Sequence, residues 1–81
     1  MSPVIVRYFA AAAEAAGVAT ETITASTAGE LRAAMTSAHG EDLARVLARC
    51  SLLAAGVRLE GDDDPVLDGV TVDVLPPFAG G

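Results

Sequence analysis

Strand-forming segments near both ends of the chain, with helix-forming segments between them, constrain the fold more than any other feature. Residues 4–9 (Val-Ile-Val-Arg-Tyr-Phe) are β-branched or aromatic apart from one arginine, which is typical of a strand. Residues 70–74 alternate apolar and polar side chains, which indicates a strand with one buried face. Pro76 and Pro77 end that strand, because proline has no N–H for a sheet ladder.

Helix signals occupy the middle of the chain. Ala10–Ala16 is alanine-rich and precedes a glycine, which predicts a short helix with a glycine stop. Thr27 and Glu30 have the spacing of a capping box and predict a second helix, which a glycine ends at residue 40. The third helix is predicted from residue 41, with an apolar stripe formed by Leu43, Val46, Leu47 and Cys50. The remaining strand candidates are residues 20–24, 51–55 and 57–59.

The order of these elements and the length of the chain predict an α+β fold. A chain of 81 residues has room for one domain, and we expect that domain to span residues 1–81 with a flexible tail from about residue 76. Hydrophobic residues make up 52% of the chain and aromatic residues 4%, so an aliphatic core must fill a thin layer. Helices segregated from strands favour a β-grasp, with helices packed on one face of a mixed sheet.

Composition excludes several classes of partner. The formal net charge of -6 argues against binding to nucleic acid or to an anionic membrane surface. A protein binds either of these through a positively charged surface patch. The negative charge favours partners with basic surfaces, unless the acidity serves only to keep a small domain soluble. The single cysteine allows no intrachain disulfide, and we expect a cytoplasmic protein, since neither a signal segment nor a spanning apolar run is evident.

No side-chain cluster predicts a metal site or a bound cofactor. His39 has no acid or cysteine near it at ligand spacing, and residues 62–64 lack the alternating ligands and closing glutamate of an EF-hand loop. We interpret the latter as a solvated turn. Cys50 fits a small core residue better than a nucleophile, because nothing nearby in sequence would lower the pKa of its thiol.

Strand alternation predicts an exposed apolar patch beside the tail. Side chains alternate between the two faces of a strand, so Phe9 and Leu75 belong to the outer, more polar face. Together with Phe78 they could form a partner surface, because exposed apolar patches mark such surfaces. Alternatively, the two phenylalanines fold back and cap an open end of the core.

The end of the chain carries the strongest functional signal. Ala79, Gly80 and Gly81 have almost no side-chain volume and can enter a narrow channel, at whose end only a carboxylate would be presented. Two terminal glycines alone are weak evidence. Their position directly after a strand and Pro-Pro-Phe makes the signal strong, and a carboxylate of this kind needs activation before a nucleophile can attack it.

The chain resembles the MoaD/ThiS family of ubiquitin-like sulfur carriers, in particular its MoaD-like branch, the small subunits of molybdopterin synthase. The resemblance covers nearly the whole chain and is strongest in residues 6–17, 52–55 and 67–81, with the Pro-Pro-x-x-Gly-Gly ending as its most specific part. It implies that a MoeB-like enzyme uses ATP to adenylate Gly81 and that a sulfur donor then yields a thiocarboxylate. It further implies that the tail enters a MoaE-like large subunit, where its sulfur passes to cyclic pyranopterin monophosphate.

The same resemblance implies the residues of the partner interface. The family's apolar interface positions match Phe9, Leu59 and Leu75, beside Pro76 and Pro77 at the root of the tail. There are two departures. Gly56 stands where many relatives have asparagine, a change that preserves a turn with positive φ. Gly-Val-Thr-Val at residues 69–72 lacks two acids that relatives often carry there.

Five other functions remain compatible with these residues. The chain could carry sulfur for thiamine thiazole, cysteine or tRNA thiolation, and the two prolines before the tail favour the thiazole carriers less. It could be a ubiquitin-like modifier that forms isopeptide bonds with lysines. It could also be an interaction domain with an inert tail.

Overall fold

A computed structural model describes residues 2–77, which form one five-stranded sheet and three helices. The elements are β1 (Ser2–Tyr8), α1 (Ala11–Ala16), β2 (Thr20–Ala25), α2 (Ala28–His39), α3 (Glu41–Leu47), β3 (Ser51–Ala54), β4 (Val57–Arg58) and β5 (Thr71–Leu75). Each predicted strand and helix is present, and the type of each element is as predicted.

The sheet is mixed, as predicted, and has the strand order β2-β1-β5-β3-β4. β1 and β5 are neighbours and run parallel, while the other three pairs of strands are antiparallel. In the central pair, Ile5 lies opposite Thr71 and Arg7 lies opposite Asp73. The two segments that lie farthest apart in the sequence therefore pair at the centre of the sheet.

The core lies between one face of this sheet and the helices. Val4, Val6 and Tyr8 of β1 are buried there, as are Val72 and Val74 of β5. The largest buried side chains that the helices contribute are Leu31, Met35, Leu43 and Leu47. The aliphatic core and the predicted alternation of buried and exposed side chains are thus both observed.

Element ends differ from the prediction where backbone conformation decides them. The first helix begins at Ala11 instead of Ala10, because Ala10 has a φ of 51° and cannot be helical. The third helix ends at Leu47, so Cys50 does not lie on its apolar stripe. It lies half-buried before β3, where its Sγ donates to the Val46 carbonyl at 3.2 Å and burial raises the pKa of the thiol.

The turn between β3 and β4 is a tight hairpin. Ala55 and Gly56 both have positive φ, 51° and 83°, as a two-residue hairpin turn of type I′ requires. Glycine or asparagine is favoured in such a turn. The replacement of the relatives' asparagine by Gly56 therefore preserves the turn.

The beginning of α2 is held by side-chain caps and by a distant loop. The Glu30 amide donates to Thr27 Oγ1 at 3.2 Å, which confirms Thr27 as the N-cap of α2. The Glu30 carboxylate accepts from the Ser26 amide at 2.8 Å, one residue before the amide that a capping box would use. The carbonyl oxygens of Asp64 and Asp62 accept from the first two helical amides at 2.8 and 3.0 Å. The acidic loop is therefore more than a solvated turn, since its backbone satisfies donors that a helix start leaves unpaired.

We predict that Gly29→Ala destabilises the protein, although alanine is the better helix former by about 1 kcal/mol. A Cβ at residue 29 would lie 2.9 Å from the Cβ of Asp62 and 3.2 Å from its carbonyl oxygen. The loop cannot retreat without weakening the bond between that carbonyl and the Gly29 amide. Over-packing of this kind costs about 1–3 kcal/mol, measurable by urea denaturation.

The matched control places Gly29→Ala in an Asp62→Gly background. Removing the Cβ of Asp62 removes the shortest contact, so the alanine should cost less there than in the wild type. An equal cost in both backgrounds would contradict the steric explanation.

Candidate functional site

The C-terminal segment, to which the sequence assigns the function, follows the central strand of the sheet. β5 ends at Leu75, and half-buried Pro76 and exposed Pro77 follow it. Phe78, Ala79, Gly80 and Gly81, to which the sequence assigns the chemistry, lie outside the described residues. The two prolines line one side of an open groove of about 810 Å³. Its other walls come from α1, from α3 and from the two residues that follow α3, namely Ala11, Glu14, Ala15, Asp42, Arg45, Val46, Ala48 and Arg49.

Phe9 and Leu75 lie side by side on the outer face of the sheet, at the root of the tail. Tyr8 lies opposite Val74, and the Phe9 amide donates to the Val74 carbonyl at 3.2 Å, which continues the parallel ladder by one residue. Phe9 is 39% exposed and Leu75 is half-buried. The structure therefore places Phe9 on the face opposite the core, as the alternation predicts, and not over an open end of the core.

Leu59 is not part of this group. Its amide donates to the Leu52 carbonyl at 2.8 Å, and its side chain packs against the core. The preceding residue, Arg58, lies opposite Leu53 on the outer face, so alternation turns Leu59 toward the helices. Of the three apolar positions implied by the family resemblance, the structure brings together Phe9 and Leu75 alone.

An ion pair lies next to Phe9 and Leu75 on the same face. Arg7 Nε donates to Asp73 Oδ1 at 2.6 Å and Arg7 Nη2 donates to Oδ2 at 2.9 Å, a bidentate arrangement. The hydrogen bond and the charge of Asp73 raise the pKa of Arg7. The guanidinium carbon of Arg7 lies over the Phe9 ring, 5.8 Å from its centroid.

The Arg7–Asp73 pair is not evident in the sequence because it depends on the register of β1 against β5. Alternation alone puts Arg7 and Asp73 on the outer face. Only the alignment of β1 with β5 makes them direct neighbours. Opposite charges on outward positions of two strands assigned to the centre of one sheet are the signal that could have indicated it.

A second polar cluster lies behind the sheet, among the helices. Tyr8 donates its hydroxyl to Glu21 Oε2 at 2.5 Å, and His39 Nε2 lies 2.5 Å from the same oxygen. The His39 and Tyr8 rings meet edge to face with centroids 5.8 Å apart. These contacts tie the end of α2 to the two strands beneath it, so His39 has a structural partner that its sequence neighbours did not reveal.

Residues 2–77 contain neither a cluster of metal ligands nor a membrane-spanning helix. No group of three or more histidine, cysteine, aspartate or glutamate side chains there is placed to bind a metal ion. No helix in that range is long and apolar enough to cross a membrane. What the described residues offer at the root of the tail is an apolar contact area with a bidentate ion pair at its border.

A mixed sheet with a parallel central pair and helices on one face is the β-grasp of ubiquitin-like proteins, which confirms the predicted fold. The chain belongs to the ThiS family, whose sequence profile it matches over residues 6–81. No curated protein matches it closely enough to be significant.

Several solved structures of small proteins are similar to this chain. A putative molybdopterin converting factor, subunit 1, from Pyrococcus furiosus is 25% identical, with a TM-score of 0.84 over 96% of this chain and 100% of that one. A complex of subunits 1 and 2 of molybdopterin-converting factor from Helicobacter pylori contains a chain 28% identical, with a TM-score of 0.74 over 98% and 99%. Small archaeal modifier protein 1 from Methanosarcina acetivorans shares the fold at 23% identity, with a TM-score of 0.85 over 100% and 98%.

We predict that Tyr8 stays protonated to a pH well above the usual range of tyrosine. Burial, followed by the hydrogen bond to Glu21 and its charge, raises the pKa of Tyr8 in the folded protein. A raised pKa means that this contribution to stability is present below about pH 10 and is lost as the pH rises further. Because Tyr8 is the one tyrosine and tryptophan is absent, tyrosinate absorbance reports on it alone.

The tyrosinate signal should therefore appear together with alkaline unfolding, as followed by circular dichroism. The variant Glu21→Gln keeps the burial but loses the charge, so the pKa of Tyr8 should fall while staying above that of free tyrosine. Ionisation of Tyr8 near pH 10 in the folded protein would contradict the burial of its hydroxyl.

Proposed function

We propose that this chain is a sulfur carrier and serves as the small subunit of a molybdopterin synthase. The observation that carries the proposal is its likeness to subunit 1 of the Helicobacter pylori molybdopterin-converting factor, 28% identical over almost the full length of both chains. The family match supports it, because that match extends to Gly81.

In the proposed reaction the carboxylate of Gly81 is the reacting group. One of its oxygens attacks the α-phosphate of ATP in a MoeB-like enzyme, which forms an acyl adenylate and releases pyrophosphate. A sulfur nucleophile then attacks the acyl carbon and AMP leaves, which yields the thiocarboxylate. Splitting a difficult substitution into two easier ones is the general advantage of a covalent intermediate. In a MoaE-like large subunit, the thiocarboxylate sulfur would bond to a carbon of cyclic pyranopterin monophosphate, and water would then cleave the bond between that sulfur and the acyl carbon, which returns the carboxylate of Gly81.

The described part of the chain would position this group and supply no reacting side chain. Pro76 and Pro77 stiffen the exit from β5, and the four residues beyond them can span about 14 Å when extended. Phe9 and Leu75 would then contact the partner at the entrance of the channel into which Ala79, Gly80 and Gly81 insert. Phe78 would add to that contact.

Three partners follow from this proposal. They are the MoeB-like adenylating enzyme, which uses the ATP, a sulfur donor, and the MoaE-like large subunit. The net charge of -6 favours basic partner surfaces and fast association with them. The likeness to a chain that was solved in complex with a second subunit agrees with a protein partner for this one.

We predict that the protein gains the mass difference between one sulfur and one oxygen when it is incubated with ATP, a MoeB-like enzyme and sulfide. Intact-chain mass spectrometry measures the change. Deletion of Gly80 and Gly81 should abolish the product, because the acyl group would no longer reach the adenylating site. Several activating enzymes should be tried, and the absence of product with all of them would overturn the carrier function.

The acceptor is tested in a second step. The thiocarboxylated protein, mixed with a MoaE-like subunit and cyclic pyranopterin monophosphate, should form molybdopterin. If the thiocarboxylated protein forms no molybdopterin, the remaining candidates are the sulfur carriers for thiamine thiazole, cysteine or tRNA thiolation. Isopeptide bonds to lysines, seen as higher-mass conjugates, would instead identify a modifier.

We predict that Phe9→Asp weakens binding to the large subunit about tenfold or more, as measured by titration calorimetry. A carboxylate there must lose its water on docking, while Phe9 contributes little to the core because it lies on the outer face. The matched control is Leu67→Asp, since Leu67 is 70% exposed and lies in the loop beside the start of β1. Unchanged affinity of Phe9→Asp would remove Phe9 from the interface.

A further inference from the structure

The outer face of the β1–β5 pair carries a row of three chemically distinct positions on each strand. Ile5, Arg7 and Phe9 project from β1 and the residue after it, opposite Thr71, Asp73 and Leu75 of β5. The ion pair therefore separates the apolar residues at the root of the tail from Ile5, which is also exposed. Nothing in the chemistry of an acyl carrier requires a charged pair at this place.

The geometry of the ion pair fixes the orientation of the Arg7 guanidinium group. Arg7 Nε and Nη2 donate to the two oxygens of Asp73, one to each. The planar guanidinium group therefore has one orientation relative to the strands. Asp73 is the less exposed partner, at 23% against 51% for Arg7, and lies on a central strand. The better-fixed carboxylate thus anchors the more exposed cation.

The anchored guanidinium lies over the ring of Phe9. The distance of 5.8 Å from the guanidinium carbon to the ring centroid is within the range of cation–π attraction. Phe9 is the first residue after β1, where the backbone leaves the ladder for the turn at Ala10. A ring at such a position has fewer fixed neighbours than one inside the strand, and Arg7 supplies one.

We propose that Arg7, held by Asp73, is a positioning residue that orients the Phe9 ring for the partner's apolar pocket. The inference rests on the proposed function, since it takes Phe9 to be the docking residue. A side chain fixed before docking loses less conformational entropy on binding, so pre-orientation strengthens association. The chemistry at the terminal carboxylate does not involve the pair.

The test measures KM for the thiocarboxylated carrier and kcat in the transfer of its sulfur to cyclic pyranopterin monophosphate by the large subunit, the partner whose pocket Phe9 is proposed to enter. Arg7→Lys keeps the charge but loses the planar fork, and Asp73→Asn releases the guanidinium. Each should raise KM about two- to fivefold, the worth of an exposed cation–π contact, and leave kcat unchanged. The matched control is Arg58→Lys, whose ion pair with Glu60 lies at the edge strand β4, where no aromatic ring of residues 2–77 lies against the guanidinium.

A double-mutant cycle decides whether Arg7 acts through Phe9. In a Phe9→Leu background the ring face is gone, so Arg7→Lys should have no further effect on KM. An Arg7 that instead contacts the partner with its three remaining N–H groups would raise KM equally in both backgrounds, which would overturn the proposal. Unchanged KM in Arg7→Lys and Asp73→Asn would also overturn it.

The two proposals fail in distinguishable ways. A wild-type protein that is never thiocarboxylated overturns the carrier function and the present inference with it. A wild-type protein that is thiocarboxylated and transfers its sulfur normally, with variants of equal KM, overturns the role of Arg7 alone. Circular dichroism of each variant establishes that the fold is intact, and Arg7 and Asp73 are exposed enough for both substitutions to be tolerated.

Discussion

The parallel pairing of β1 with β5 is the interaction on which the rest of the structure depends. It buries Val6 against Val72 on the inner face and joins Arg7 to Asp73 on the outer one. Because β5 is central, β3 and β4 join the sheet only through it, and the tail leaves from the middle of one end. The root of the tail is therefore flanked by strands on both sides, which is where a partner can hold it.

The pairing also gives the two faces of the sheet different tasks. The inner face is aliphatic and closes against α2 and α3, so it fixes the fold. The outer face carries apolar residues in two places, Phe9 with Leu75 at the root of the tail and Ile5 farther along β1, with the Arg7–Asp73 ion pair between them. Separation of these tasks allows the outer residues to suit a partner without disturbing the core.

Much of this arrangement could be predicted from local patterns in the sequence. Alternation in residues 4–9 and 70–75 predicted both faces of the central strands, and the capping box predicted the start of α2. These signals are local because each depends on residues no more than five apart. The exposure of Phe9 follows from the same alternation.

What the sequence could not predict depends on contacts between distant residues. Arg7 meets Asp73 only in one register of β1 against β5, and Glu21 meets His39 only when α2 ends over β2. Leu59 turned toward the core because the tight turn at residues 55–56 fixes which side each residue of β4 faces. The loop at residues 62–64 found its partners in α2, more than thirty residues earlier. Each of these contacts depends on strand register or on how one element packs against another, and local composition and spacing do not determine either.

The central place of β5 has a further consequence for how the protein is made. Synthesis proceeds from β1 toward β5, so β1 and β3 are made before β5, the strand that pairs with both of them. Until it arrives, β1 and β3 expose unpaired edges, and closing the loop between β1 and β5 carries an entropic cost. A prematurely terminated chain that lacks β5 cannot complete the sheet. The five-stranded sheet can therefore form only in a chain that includes β5, the strand after which the tail begins.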